Sequence, residues 1–153
     1  MTVQAKAEML IRKPVGEVFA AFIDPAITTK FWFTRSSGRL EPGARLRWEW
    51  EMYGASSEVT VRTIEPERRI LIEWSSYGHP NSVEWRFTAL PDDTTFVSIT
   101  NTGFVGDVAV VTAQALDSTE GFTMVLAGLK ALLEHGVILN LIADRFPAAL
   151  NNK

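Results

Sequence analysis

The chain has 153 residues, a formal net charge of −3, two histidines and no cysteine. This excludes disulfides, thiolate nucleophiles and cysteine-ligated metals, and leaves no basic footprint for nucleic acid. With 46% hydrophobic and 22% charged residues, the composition is that of a globular protein long enough to bury its own core.

Val3 to Ile11 alternates apolar and polar residues and predicts a first strand. The start, Met1 to Glu8, has no apolar signal core, and no later stretch reaches the roughly 20 apolar residues of a membrane span, so a cytoplasmic protein with no membrane partner is expected. Pro14 is placed to open a helix, and Val15, Val18, Phe19 and Phe22 follow at helical spacing. Asp24-Pro25 breaks it and starts a second short helix over Ala26 to Phe33. Arg35 to Glu41 is a weaker strand, closed by Pro42-Gly43.

Residues 44–53 carry the clearest pattern. Leu46, Trp48, Trp50 and Met52 alternate with Arg45, Arg47, Glu49 and Glu51, which predicts a half-buried antiparallel strand with large rings on its buried side. Strands are predicted at 57–65, 69–76, 82–90 and 94–102, joined by turns at Gly54, Pro66-Glu67, Gly78 to Asn81 and Pro91 to Asp93. From Asp117 the period becomes 3.6: Phe122, Val125, Leu126, Leu129, Leu132 and Leu133 form one stripe. Asp117 and Glu120 stand at capping-box spacing, and Gly136 is the expected stop.

Register joins these elements, because a one-residue slip would flip a whole face. A four-residue loop at 54–57 sets Met52 opposite Val59, Trp50 opposite Val61, Trp48 opposite Thr63 and, outside, Glu49 opposite Arg62. The next turns set Thr63 opposite Ile70, Val61 opposite Ile72, Phe87 opposite Val97 and Trp85 opposite Ile99. Every apolar set then shares one face of a meander, while Arg47, Glu49, Arg62, Glu73, Glu84 and Arg86 share the wet one. A sheet with one wet face needs a single cover, and the helix from Asp117 is the element long enough. The expected class is α+β.

Several words in order carry a resemblance: Val18-Phe19-Ala20, Asp24-Pro25, Phe31-Trp32-Phe33, Pro42-Gly43, Glu65 to Ile70 with Trp74, Ser82-Val83, and Gly121-Phe122 with Leu126, Leu129, Leu133 and Glu134. Together they resemble the START-like (SRPBCC) superfamily, and within it homologues of the C-terminal domain of the heat-shock-protein-90 ATPase activator. Ala44 and Phe122 depart from the common glycine and tryptophan. The resemblance covers nearly the whole chain. It implies one domain over residues 1–153 with a helix-grip fold: a curved antiparallel sheet of about seven strands around a long C-terminal helix, with two short helices between strands one and two.

In that superfamily the concave face and the helix enclose an apolar cavity. The candidate ligand-binding residues are therefore Trp48, Trp50, Met52, Val61, Thr63, Ile72, Trp74, Trp85, Phe87, Ile99 and Asn101 on the sheet, and Phe122, Val125 and Leu129 on the helix. Tyr53 and Tyr77 sit near loop mouths. Core packing under the helix is the commoner fate of any single such ring, and a modest pocket beside a filled core is compatible with both readings. His79 reads as a turn residue and His135 as a helix-end residue, and no metal, serine-nucleophile or dinucleotide motif occurs. No cofactor and no catalytic residue are expected. The leading reading is non-catalytic binding of an apolar or aromatic small molecule. A chaperone-associated interaction module and a cyclase- or hydrolase-type enzyme using Asn101 and Tyr53 are the alternatives. The apolar tail 137–147 is expected to dock on the domain, and a homodimer is left open.

Overall fold

The computed structural model describes residues 2–150. Strands β1 (Ala5–Ile11), β2 (Arg35–Ser36), β3 (Arg45–Trp50), β4 (Ala55–Glu65), β5 (Arg69–Ser76), β6 (His79–Ala89) and β7 (Thr95–Thr102) form one antiparallel sheet in the order β1-β7-β6-β5-β4-β3-β2. Helices α1 (Val15–Ile23) and α2 (Pro25–Thr28) join β1 to β2. The long helix α3 (Val108–His135) follows the sheet, and a short α4 (Leu141–Arg145) follows it. This is the expected helix-grip architecture.

Alternation places Val59, Val61, Ile70, Ile72, Val83, Trp85, Val97 and Ile99 inward, each at most 1% exposed. They pack with Val125, Leu126 and Leu129 of α3 and with Val18 and Phe22 of α1. Burial of each such side chain stabilises the fold by about 1.5–3 kcal/mol. The outer face is a set of cross-strand ion pairs: Arg47–Glu58 at 3.5 Å, Arg62–Glu73 at 2.7 Å and Arg69–Glu84 at 2.5 Å.

The corner between α1 and α2 brings the following aromatics under α3. The Asp24 carboxylate accepts from the Ala26 N–H at 3.0 Å, and the buried Thr28 hydroxyl donates to the Ala21 carbonyl at 2.6 Å. Phe31 then lies against Gly128, where an added Cβ would come within 3.2 Å of the Phe31 Cβ. The glycine lets the helix approach this segment.

Five expectations are corrected. The second helix stops at Thr28 rather than Phe33, with single turns continuing to Trp32. The second strand covers Arg35–Ser36 rather than Arg35 to Glu41, because the Ser36 hydroxyl bonds to Gly38 and pulls the backbone out of the ladder. The β3–β4 register is Leu46↔Val59, Trp48↔Ser57 and Trp50↔Ala55. Strand β3 ends at Trp50 because Glu51–Tyr53 forms a 3₁₀ turn closed by Gly54 at φ 61°. The partner of Trp50 moves from Val61 to Ala55, an even offset, so the inward residues stay inward. Met52 leaves the strand and is 38% exposed. A bulge between Val61 and Thr63 gives Ile64↔Ile70 and Thr63↔Leu71, which turns Thr63 outward in place of facing Ile70. The pairings Val61↔Ile72, Phe87↔Val97 and Trp85↔Ile99 are as expected.

The fifth correction is the start of α3. Asp107 caps it, accepting from the Val110 N–H at 3.0 Å, so the helix begins at Val108 rather than Asp117, well before the apolar stripe does. Residues 108–116 carry no stripe of large apolar residues to betray a helix: their inward side is Val111, Gln114 and Ala115, while Val108 is 77% and Leu116 68% exposed. Gly136 ends the helix in the left-handed conformation, as expected.

Candidate functional site

A cavity of ≈ 330 Å³ lies between the β3–β5 end of the sheet, the middle of α3, and α4. Its floor is aromatic. Trp32, carried in by the turn after α2, has its ring centroid 6.1 Å from those of both Trp50 and Trp74, inclined at 64° and 63°. Trp50 and Trp74 are 6.3 Å apart at 60°. Phe122 of α3 closes the group, 5.6 Å from Trp32 and 6.0 Å from Trp74. Gly121, one residue before Phe122, also faces the cavity, and a Cβ built there meets nothing within 4 Å.

One side is a buried chain of hydrogen bonds. The Ser118 hydroxyl donates to Asn101 Oδ1 at 2.8 Å. The Asn101 amide donates to Asn81 Oδ1 at 2.7 Å and to the Ser82 carbonyl at 2.8 Å. Asn81 Oδ1 also accepts from the Trp74 indole at 2.8 Å, while its amide donates to Ser76 Oγ at 2.7 Å. These bonds satisfy polar groups in a low-dielectric setting and hold Trp74 in place.

The mouth is built from six side chains. Tyr77 stands in the β5–β6 turn and donates its phenol hydrogen to Asp117 Oδ2 at 2.5 Å. Burial, reinforced by that bond, pushes the Tyr77 phenol up, so it stays a neutral donor. Tyr53 donates to the Ile142 carbonyl, and lies 3.2 Å from the Ala143 carbonyl. Arg145 binds Glu120 through two nitrogens, at 2.6 and 3.3 Å, and its guanidinium lies 4.2 Å from the Phe146 ring centroid. Donating to the Glu120 carboxylate raises the Arg145 pKa further. The tail thus docks on the domain through α4, as expected, and Ile142, Arg145 and Phe146 become one wall of the cavity.

Of the fourteen candidates, the structure brings Trp50, Trp74, Asn101 and Phe122 to the cavity wall. Trp48, Val61, Ile72, Trp85, Phe87, Ile99, Val125 and Leu129 face inward but are packed in the core beneath it. Trp48, for example, stacks on Phe33 at 4.6 Å and 18°. Thr63 is turned out by the bulge. Met52 lines a separate depression of ≈ 80 Å³ near Thr34 and Leu139. Trp32, Asp117, Ser118, Glu120, Arg145 and Phe146 were not among the candidates. Trp32 belonged to an aromatic word of the sequence, and the apolar tail held Phe146, but neither could be placed without the fold. Asp117 and Glu120 have the spacing of a cap, and only the Val108 start of α3 places them within the helix, at the cavity.

His79 opens β6, paired with Ser76, rather than lying in the turn, and His135 ends α3. Asp24 caps α2 and Glu8 pairs with Lys6 at 3.6 Å on the surface. Among the described residues no three His, Asp or Glu side chains are grouped as a metal site would need, and no helix is long and apolar enough to cross a membrane.

The fold recurs in solved structures. Protein SSP2350 from Staphylococcus saprophyticus is 28% identical over 90% of this chain and 96% of its own, with a TM-score of 0.77. An Aha1 described as a dimer, from Colwellia psychrerythraea, is 16% identical over 88% of this chain and 98% of its own, with a TM-score of 0.73. DynU16, described as a putative protein in the dynemicin biosynthetic locus, is 21% identical over 88% of this chain but 48% of its own, with a TM-score of 0.74. None of the curated proteins compared matches the chain. The sheet and gripped helix define a START-like protein. Residues 12–134 match the model of the Activator of Hsp90 ATPase homolog 1-like family, and the chain belongs to that family.

Proposed function

We propose that residues 1–153 act as one domain that binds an apolar or aromatic small molecule, without catalysis, in the cavity between the concave sheet, α3 and α4. The observation that carries this reading is the aromatic-floored space of ≈ 330 Å³, a size within the range of small-molecule pockets. Trp32, Trp50, Trp74 and Phe122 supply the contact area. The polar groups that an enzyme reading would recruit are engaged with one another: Asn101 holds Asn81, Ser82 and Ser118, and Tyr53 holds the tail. They favour a rigid wall over an acid–base pair.

The test uses the empty space beside Gly121. Gly121→Leu exchanges a poor helix former for a good one, about 1 kcal/mol in favour of the helix, while its branch points into the cavity. A panel of neutral naphthalene derivatives should raise the melting temperature of the natural chain and quench its tryptophan emission. Gly121→Leu should fold and lose both responses. No response from the natural chain, or an undiminished one from Gly121→Leu, overturns the reading.

Family membership favours a second reading, a chaperone-associated interaction module. Co-purification with a heat-shock-protein-90 chaperone would support it, and absence of binding by purified components would remove it. A homodimer is a further proposal, supported by the described dimer of a similar fold and by the exposed Val108 and Leu116. Light scattering at a monomer mass would overturn it.

A further inference from the structure

We propose that the ligand of this cavity is cationic: an aromatic body lies on the tryptophan floor and a protonated amine or quaternary ammonium sits at the Asp117 end. This rests on the small-molecule reading above and narrows its ligand class.

Three observations converge. The first is the floor. Trp32, Trp50 and Trp74 all line the cavity and are mutually inclined at 64°, 63° and 60°, so their π faces point in different directions. A cation within about 6 Å of such ring centroids is attracted by their quadrupoles, most strongly for tryptophan.

The second is charge. The charged residues lining the cavity are Asp117, Glu120 and Arg145. Arg145 is committed to Glu120 through Nε and Nη2. That leaves Asp117 with only a neutral phenol, Tyr77, as its hydrogen-bond partner. Arg145 also feels Asp117, but two carboxylates against one guanidinium leave the mouth with one net negative charge. An anionic ligand would be repelled by Asp117 and by Glu120, which already neutralises Arg145.

The third is hydrogen-bond polarity. The phenol hydrogens of Tyr53 and Tyr77 and the hydroxyl hydrogen of Ser118 are already donated to protein acceptors. The Ser76 hydroxyl accepts from Asn81 and keeps its own hydrogen, but at the Asp117 carboxylate itself what is left over is the other oxygen and the Tyr77 phenol lone pairs, which are acceptors. A ligand group placed there must donate, and an ammonium donates and carries the missing charge.

The experiment is a matched series on the full chain: 2-naphthylmethylamine, protonated at neutral pH, against 2-naphthylmethanol and 2-naphthoate, titrated calorimetrically at low and high ionic strength. The amine should bind about tenfold tighter than the alcohol, with naphthoate the weakest, and added salt should shrink the amine's advantage. In Asp117→Asn the amine-to-alcohol ratio should fall to about threefold or less. An alcohol that binds as tightly as the amine, a carboxylate that binds tightest, or a preference that survives both salt and Asp117→Asn overturns the charge inference and leaves the pocket reading standing. If none of the three binds, both fall. The salt dependence and the natural chain's own ranking decide the matter even if Asp117→Asn does not fold.

Discussion

Asn101 is 1% exposed and bonds across β6, β7 and α3 at once, so its amide fixes where the helix sits over the sheet. Asn101→Ala leaves the Ser82 carbonyl and the Ser118 hydroxyl without partners in a dry setting, and should cost about 2–4 kcal/mol in urea unfolding. A loss under ~0.5 kcal/mol, the range of ordinary surface substitutions, would mean the network carries no structural weight. Glu134 is the other residue that ties elements together. Burial alone would raise its pKa, but hydrogen bonds from Lys130 Nζ at 2.7 Å and the Arg12 N–H at 2.7 Å outweigh it, and the carboxyl is held below its usual value of 4.5. A lowered folded pKa means that the stabilising charge is present above the ordinary glutamate range and is lost as pH falls through it and on to the folded value. Melting temperature should therefore fall more steeply below about pH 5 in the natural chain than in Glu134→Gln. Parallel curves would contradict this.

At the scale of elements, α4 is held by contacts at its ends rather than by burial. None of residues 136–150 is buried, and the Arg145–Glu120 pair and the Tyr53 hydroxyl are its polar anchors. Exposed pairs of this kind contribute about 0.2–1 kcal/mol. Ending the chain at Gly136 should leave the circular dichroism spectrum of the sheet and α3 intact and lower the melting temperature by only a few degrees. It also removes the Ile142 and Phe146 wall, so a bound aromatic ligand should dissociate at least about tenfold faster in stopped-flow measurements, given the large area an aromatic side chain contributes. Unfolding of the truncated chain would show that the tail belongs to the core. Elements also mark where sequence reading succeeds. Period-two segments such as β5 and β7 were legible because one face is dry and the other wet. The β3–β4 register was not, since alternation runs through Met52 while the chain itself turns at Glu51. The first third of α3 was invisible for the opposite reason: its inward side, Val111, Gln114 and Ala115, is too short and too polar for an apolar stripe, and a single aspartate cap starts it.

For the whole molecule, one aromatic cluster serves as core and as cavity floor. Trp32 links the two: it lies 4.9 Å from Trp48 and 5.9 Å from Trp85 in the core, and 6.1 Å from Trp50 and Trp74 at the cavity. Trp32→Ala should cost about 3–5 kcal/mol and open the floor. A fully two-state unfolding curve within 1 kcal/mol of the natural chain, by the same urea measurement, would contradict that role. This duality is why the candidate site was only partly legible. Sequence pattern tells which residues face inward, and Trp48, Trp85, Ile72 and Val61 do so as expected. It does not tell where the inward space is filled and where it is left open, because that depends on how α3, α4 and the Phe31-Trp32-Phe33 segment share the concave face.

The most direct measurement follows the five indole N–H signals by two-dimensional NMR as a neutral naphthalene derivative is added. Trp32, Trp50 and Trp74 line the cavity, whereas Trp48 and Trp85 are packed beneath it. Binding in the cavity should shift the first three signals saturably and by more than the other two. Five unmoved signals, or shifts centred on Trp48 and Trp85, would contradict it.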